Sequence, residues 1–410
     1  MMSKVLRNCV VTAAVAVATF ALIAPSARAA DKPDPEPTTQ PKPKAYPPYP
    51  KVIGLGIGDA APDFKLPGVD GKTHTLAEYK DAKILAIVFT CNHCPTSRMY
   101  EDAIIKLSTD YAKKGVKLVA ISPNDPGALR PDEVAGTVLG DSFEEMKIRA
   151  KEKKYPFPYL YDGDTQKAAM AYGATLTPQM FIFDAERKLR YTGAVEGPPY
   201  STAGGPHARV AIEAMLAGKK IVYDRTRPFG CSTKWGFKRR SVDYDTAMWN
   251  EKPVTMADID LAGFKKLAAN DSNVLKLICI WSLDDKSSAA AMADLVMLRR
   301  IYQHRPLELI TVNIDPAAKK KDALALLKKN HAAKPSPSRF APIDPKTPIN
   351  YMFTGKNAAE LFKALKAKAD SKPAAPYSAM IIPGGEVIHT QTKKLNPKGL
   401  RAKLVTVFRR

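Results

Sequence analysis

At 410 residues and 45% hydrophobic, the chain is long enough to bury two or three cores rather than one. Its formal net charge of +22 raises nucleic acid or an anionic surface as partners. The Lys and Arg residues are scattered through ordinary helical stretches, with no finger spacing, recognition helix or aromatic RNA-binding motif, so the basic balance reads as a solvated surface and nucleic-acid binding is set aside.

The first element in chain order is a leader over residues 1–29. Lys4 and Arg7 make a positive start, Cys9 to Ile23 is almost wholly apolar, and Ala27-Arg28-Ala29 supplies small residues for cleavage before Ala30. The apolar run is short for a spanning helix, which needs about twenty residues. No later segment is apolar enough to cross a bilayer, so the expectation is an exported protein, periplasmic or otherwise extracytoplasmic, with no membrane span after cleavage. Disulfides are permitted there. Residues 30–51 are a Pro-rich polar linker that cannot bury enough apolar surface to fold.

Residues 52–240 read as a first α/β domain, a central β-sheet flanked by helices. Residues 83–90 (KILAIVFT) and 116–122 (VKLVAIS) are buried strands, with helical spacing over 98–113 between them. Residues 124–142 are a Pro/Gly-rich excursion. Helices follow over 143–153, with Ser142 as N-cap, and over 164–172, stopped by Gly173. Strands at 179–184 and 189–195 flank a polar turn, and 207–216 is a closing helix. Residues 241–253 read as an inter-domain linker. Over 254–410 a similar order returns: strands at 274–281 and 307–314, helices over 288–304, 318–330 and 358–368, then two strands around Pro383-Gly384-Gly385. The second region is a divergent copy of the first.

Five cysteines are encoded, and four survive loss of the leader: Cys91, Cys94, Cys231 and Cys279. So few, with two of them three residues apart, point to redox or metal chemistry rather than a stapled scaffold. Cys91-Asn92-His93-Cys94 follows a buried strand and opens a helix. Backbone N–H groups at that end favour a thiolate, so Cys91 is expected to attack with a lowered pKa and Cys94 to resolve the mixed disulfide. His93 would add positive charge or a hydrogen bond near Cys91. Zinc wants a second ligand pair, which Cys231 and Cys279 do not make, and covalent haem needs His where Pro95 stands. No metal is expected, and no cofactor beyond the Cys91–Cys94 disulfide. Cys231 reads first as a packed cysteine near Trp235 or a disulfide partner of Cys279, and second as an auxiliary thiol exchanging with Cys91.

Gly58-Asp59-Ala60-Ala61-Pro62-Asp63-Phe64, the stretch Phe89 to Pro95, Asp141-Ser142-Phe143 and Gly230-Cys231-Ser232-Thr233-Lys234-Trp235 together resemble the redoxins, the branch of the thioredoxin superfamily that includes alkyl-hydroperoxide-reductase-like and TlpA-like proteins. The resemblance spans about Gly56 to Trp235. It implies a thioredoxin-like fold with an N-terminal hairpin, a cis Thr177–Pro178 loop facing the dithiol, and Thr177 and Pro178 as substrate contacts. The second region resembles a thioredoxin-like domain whose dithiol is replaced by Asp285 to Ser288, with Pro376 at the cis-proline position.

The sequence departs from thioredoxins in having Leu85, Ala86, Ile87 and Val88 on the strand before the motif, so that strand offers no carboxylate as proton shuttle. The Thr that peroxidatic members place three residues before their cysteine is also missing. The expected function is disulfide exchange with protein thiols and disulfides, cycled by a redox partner protein. A thiol peroxidase and a metal-carrying or binding module stand as alternatives.

Overall fold

A computed structural model describes residues 51–197, 205–365 and 375–408. The leader and all but the last residue of the Pro-rich linker lie outside the described residues. The chain enters through a small hairpin, β1 (Lys65–Pro67) antiparallel to β2 (Thr73–Thr75), turned by Gly71 at φ 83°. Next come β3 (Ile84–Phe89), α1 (Pro95–Met99), α2 (Glu101–Tyr111), β4 (Val116–Ser122), α3 (Phe143–Lys153), β5 (Tyr159–Tyr161) and α4 (Lys167–Tyr172). They are followed by β6 (Leu176–Thr177), β7 (Gln179–Phe183), β8 (Leu189–Gly193), α5 (His207–Leu216), β9 (Cys231–Ser232) and α6 (Arg239–Asn250). The first sheet has the order β5-β4-β3-β7-β8, with β3, β4 and β5 parallel and β7 and β8 antiparallel.

β3 is apolar at every position because both of its faces are covered. Ile84, Ala86 and Val88 point to a core with Ile104, Leu107 and Tyr111 of α2. Leu85, Ile87 and Phe89 point to the opposite core, with Ala168, Ala169 and Tyr172 of α4. This period-two division sets which residues emerge at the strand's end.

The second half holds β10 (Ala257–Ile259), α7 (Leu261–Ala269), β11 (Leu275–Trp281), α8 (Lys286–Ile301), β12 (Leu307–Asn313) and α9 (Lys320–Lys329). It continues with β13 (Asn350–Phe353), α10 (Ala359–Ala364), β14 (Tyr377–Ile381), β15 (Val387–Thr392) and α11 (Pro397–Phe408). Its sheet order is β10-β13-β12-β11-β14-β15. Removing β10 leaves the order and strand directions of the first sheet, and the peptide bonds entering β7 and β14, Thr177–Pro178 and Ala375–Pro376, are both cis. No helix among the described residues is long and apolar enough to cross a membrane.

Three expectations are corrected. The helix expected over 98–113 breaks at Tyr100, whose ring turns inward and whose hydroxyl donates to the Gly197 carbonyl at 3.0 Å, and the neighbouring Met99 is 47% exposed. The linker expected over 241–253 is largely α6, which buries Trp249 among Trp281, Met292 and Leu327. The three- and four-residue strands β5, β10 and β13 were not anticipated, being too short to show a period. The excursion before α3 is also packed rather than loose. Val134 and Ala135 enter the core beneath the second sheet, and Arg401 donates to the Val134 carbonyl at 3.2 Å.

Candidate functional site

β3 delivers the chain to Thr90, whose N–H donates to Ile121 of β4 at 2.9 Å. Cys91, Asn92 and His93 form the turn, and Cys94 is the N-cap of α1 with Pro95 at the first helical position. Both thiols are free, Cys91 being 4% exposed and Cys94 0%. The loop before β7 contacts both. The Thr177 hydroxyl lies 3.2 Å from Cys91 Sγ, and the Thr177 carbonyl accepts from the Cys94 thiol at 3.2 Å. His93 Nδ1 is 3.5 Å and Ser97 Oγ 3.9 Å from Cys91 Sγ.

A buried carboxylate organises the turn, and it comes from neither the strand nor the motif. Asp141 Oδ1 accepts the backbone N–H of Asn92 and of His93, each at 2.9 Å. Its Oδ2 takes His93 Nδ1 at 2.5 Å and Asn124 Nδ2 at 2.7 Å. The sequence reading assigned Asp141 no role at the site, because an Asp beside the N-cap Ser142 reads as a helix start. Its signal was its place in Asp141-Ser142-Phe143, one of the motifs that carry the redoxin resemblance. With Nδ1 of His93 committed to Asp141, the imidazole is oriented beside Cys91 rather than placed as its direct proton donor. Burial would raise the Asp141 carboxyl, but the charge on His93 and these hydrogen bonds hold it below its usual value.

The expected lowering of the Cys91 pKa is not what the structure gives. Burial pushes that thiol well above its ordinary value, and the Cys94 contact and the Asp141 carboxylate add to the effect. The lowering falls on Cys94, through hydrogen bonds first from Cys231, then from Cys91, and from the Ser97 N–H. Negative charge on the thiol cluster is therefore held at Cys94. Thr177→Val deletes the nearer of the two hydroxyls beside Cys91, which eases its ionisation, and keeps the carbonyl that meets Cys94. We expect it to slow iodoacetamide labelling of Cys91 about three- to tenfold, read by peptide mapping; an unchanged or faster rate would contradict the assigned contact.

Cys231 does not pair with Cys279, which is fully buried in β11 of the second sheet and pushed up to about 12 by burial. It is half-buried in β9, where it registers against Thr177 of β6, and its sulfur is in hydrogen-bond contact with Cys94. The structure thus gathers Cys91, His93, Cys94, Thr177, Pro178 and Cys231. Asp285, Ser288 and Pro376 belong to the other sheet, where Asp285 caps α8 by accepting the Ser288 N–H at 2.7 Å. Among the described residues, one group of three has its candidate metal-ligand atoms within 4.8 Å of one another: Cys91, His93 and Asp141. Both Asp141 oxygens are already engaged by four donors, so a metal there would have to displace the bonds that shape the turn.

The arrangement is a dithiol at a strand-to-helix junction of an α/β fold. Residues 57–192 match the AhpC/TSA family. The protein named "Putative peroxiredoxin Rv2521" of Mycobacterium tuberculosis is 25% identical over 146 residues, 36% of this chain and 82% of that protein. The thiol-disulfide oxidoreductase ResA of Geobacillus thermodenitrificans is 20% identical over 146 residues, 35% of this chain and 71% of ResA. A crystal structure of an uncharacterized conserved protein from Geobacillus kaustophilus is 38% identical, covering 44% of this chain and 92% of that one, with a TM-score of 0.40. Residues 57–192 therefore form a redoxin-type region of the thioredoxin superfamily.

Proposed function

We propose that the protein is an exported thiol–disulfide oxidoreductase that exchanges disulfides with protein substrates through Cys91 and Cys94. The observation that carries this is Thr177, which meets one sulfur with its hydroxyl and the other with its carbonyl. In the exchange, Cys91 passes its proton to the Cys94 thiolate as it attacks a substrate disulfide, and the freed substrate thiolate takes that proton from Cys94. Cys94 then attacks Cys91 Sγ, expels the second substrate thiolate and closes the Cys91–Cys94 disulfide, which a redox partner protein reduces. His93, held by Asp141, stays oriented beside Cys91 while the charge on that sulfur changes. Thr177 and Pro178 line the approach for an extended substrate.

The proposal extends to the architecture: a leader over 1–29, and tandem thioredoxin-like domains over 52–240 and 254–410, the first with its N-terminal hairpin. The repeated strand order supports it. With Asp285 and Ser288 in place of thiols, the second domain serves binding or positioning. The test is equilibrium of the mature protein against dithiothreitol and glutathione buffers, with thiol trapping. A reversible two-electron couple between about −270 and −120 mV is expected. No couple, or thiols masked until a chelator is added, would overturn the reading.

A thiol peroxidase is the second reading, favoured by the AhpC/TSA match. It requires stoichiometric, rapid consumption of peroxide by the reduced protein, and the exchange reading predicts slow consumption.

A further inference from the structure

A dithiol that serves proteins must reach them, and here Cys91 is 4% and Cys94 0% exposed. The segment from Gly230 to Trp235 lies against the loop that faces them. Thr177 and Cys231 are register partners in the β6–β9 pair. A Cβ at Gly230 would sit 2.0 Å from the Thr177 carbonyl oxygen and 3.1 Å from Pro178 Cδ, so only glycine allows this approach. The segment is pinned along its length. Thr233 N–H donates to the Thr175 carbonyl at 2.9 Å, Thr233 Oγ1 to the Ala174 carbonyl at 2.8 Å, and Lys234 N–H to Asn124 Oδ1 at 2.8 Å. Asn124 in turn holds Asp141. Cys231 is thereby fixed opposite Thr177, where its side chain interacts with that of Cys94, and it is the one thiol of the three that is not fully buried.

We infer that Cys231 is a third redox-active thiol, which moves the disulfide from the buried Cys91–Cys94 pair to the surface and presents it to a partner protein dithiol. The inference rests on the reading of Cys91 and Cys94 as an exchange site. The Cys231 thiolate attacks Cys94 Sγ; the Cys91–Cys94 bond breaks, the Cys94–Cys231 bond forms, and the proton lost by Cys231 goes to the Cys91 thiolate. No net oxidation occurs in this step. The partner dithiol then attacks Cys231 Sγ and expels Cys94 as thiolate. Its second thiol closes the partner's own disulfide and releases Cys231. The partner is oxidised by two electrons and this protein is reduced by two. Cys94 suits the central place because its side chain interacts with those of both Cys91 and Cys231.

The test oxidises the mature Cys91→Ser, Cys231→Ser and Cys231→Ala proteins with glutathione disulfide and maps the bonds by mass spectrometry, with circular dichroism confirming the fold of each. Cys91→Ser should close a Cys94–Cys231 disulfide. Cys231→Ser and Cys231→Ala should close Cys91–Cys94 and then be reduced by thioredoxin about tenfold more slowly than wild type, with reduction by dithiothreitol nearly unchanged. Cys91→Ser ending only as glutathione adducts or free thiols, or Cys231 variants reduced by thioredoxin at the wild-type rate, would overturn the relay. If the Cys231 variants close Cys91–Cys94 and Cys91→Ser closes nothing, the relay alone fails; if no variant closes a bond, the exchange reading fails with it. Cys91→Ser leaves the Cys231 strand intact, so a folding defect in the Cys231 variants still leaves a decisive measurement.

Discussion

Replacing Asp141 with alanine is expected to cost about 3–5 kcal/mol of folding stability, the range for stripping one partner from a buried charge pair. The carboxylate is 1% exposed and accepts from two backbone N–H groups, the His93 imidazole and the Asn124 amide. Alanine would leave those donors buried without acceptors, and each such group carries a desolvation cost of about 1–3 kcal/mol. Asp141→Asn keeps one oxygen for the two backbone N–H groups and loses the charge facing His93, so it should fall between alanine and wild type. Urea unfolding measures both; a loss under about 1 kcal/mol for the alanine variant would mean that Asp141 does not hold the turn.

The same residue gives an acid dependence with a definite sign. The folded Asp141 carboxyl is held below its ordinary value of 3.8, so just under that value the unfolded chain binds more protons than the folded one. The stability it contributes is complete above the unfolded value and is lost as pH falls through the folded value. Asp141→Asn should flatten that part of the stability profile.

Trp249→Ala is expected to cost about 3–5 kcal/mol, as for other buried aromatic truncations. A tryptophan in a linker would cost almost nothing, so this substitution decides what residues 241–253 are. The indole is 3% exposed, donates Nε1–H to the His331 carbonyl at 2.9 Å, and lies under the Lys252 ammonium at 4.9 Å from the ring centre. One turn earlier, Asp245 pairs with Arg300 of α8 at 3.0 Å. α6 is therefore docked on the second sheet's helices while its first residue, Arg239, holds Asp125 beside the site strand at 2.6 Å. With the excursion also packed under the second sheet, the described residues from 51 onward should unfold in a single transition. Two separated transitions, or a Trp249→Ala loss under about 1 kcal/mol, would restore the linker.

What the sequence by itself determined is local. The branched apolar runs of β3, β4, β11 and β12 identify central strands, because a strand covered on both faces needs no polar position. Ser142 marks the start of α3 as N-cap, and its hydroxyl accepts the Glu145 N–H. Gly173, at φ 69°, ends α4 where a left-handed residue is required. Cys91 to Cys94 was legible because the strand, turn and helix that position it are contiguous. Tertiary structure alone decided what surrounds those sulfurs. Asp141 reaches His93 across 48 positions and Cys231 registers against a loop 54 positions away, and no residue pattern near either encodes the meeting. The pKa reversal has the same origin: a helix start favours a thiolate, but how far each sulfur is buried, and which donors reach it, depends on segments that arrive from elsewhere in the chain. α6 escaped for the same reason, since its polar sequence becomes a stable helix only when Trp249 finds the second sheet to pack against.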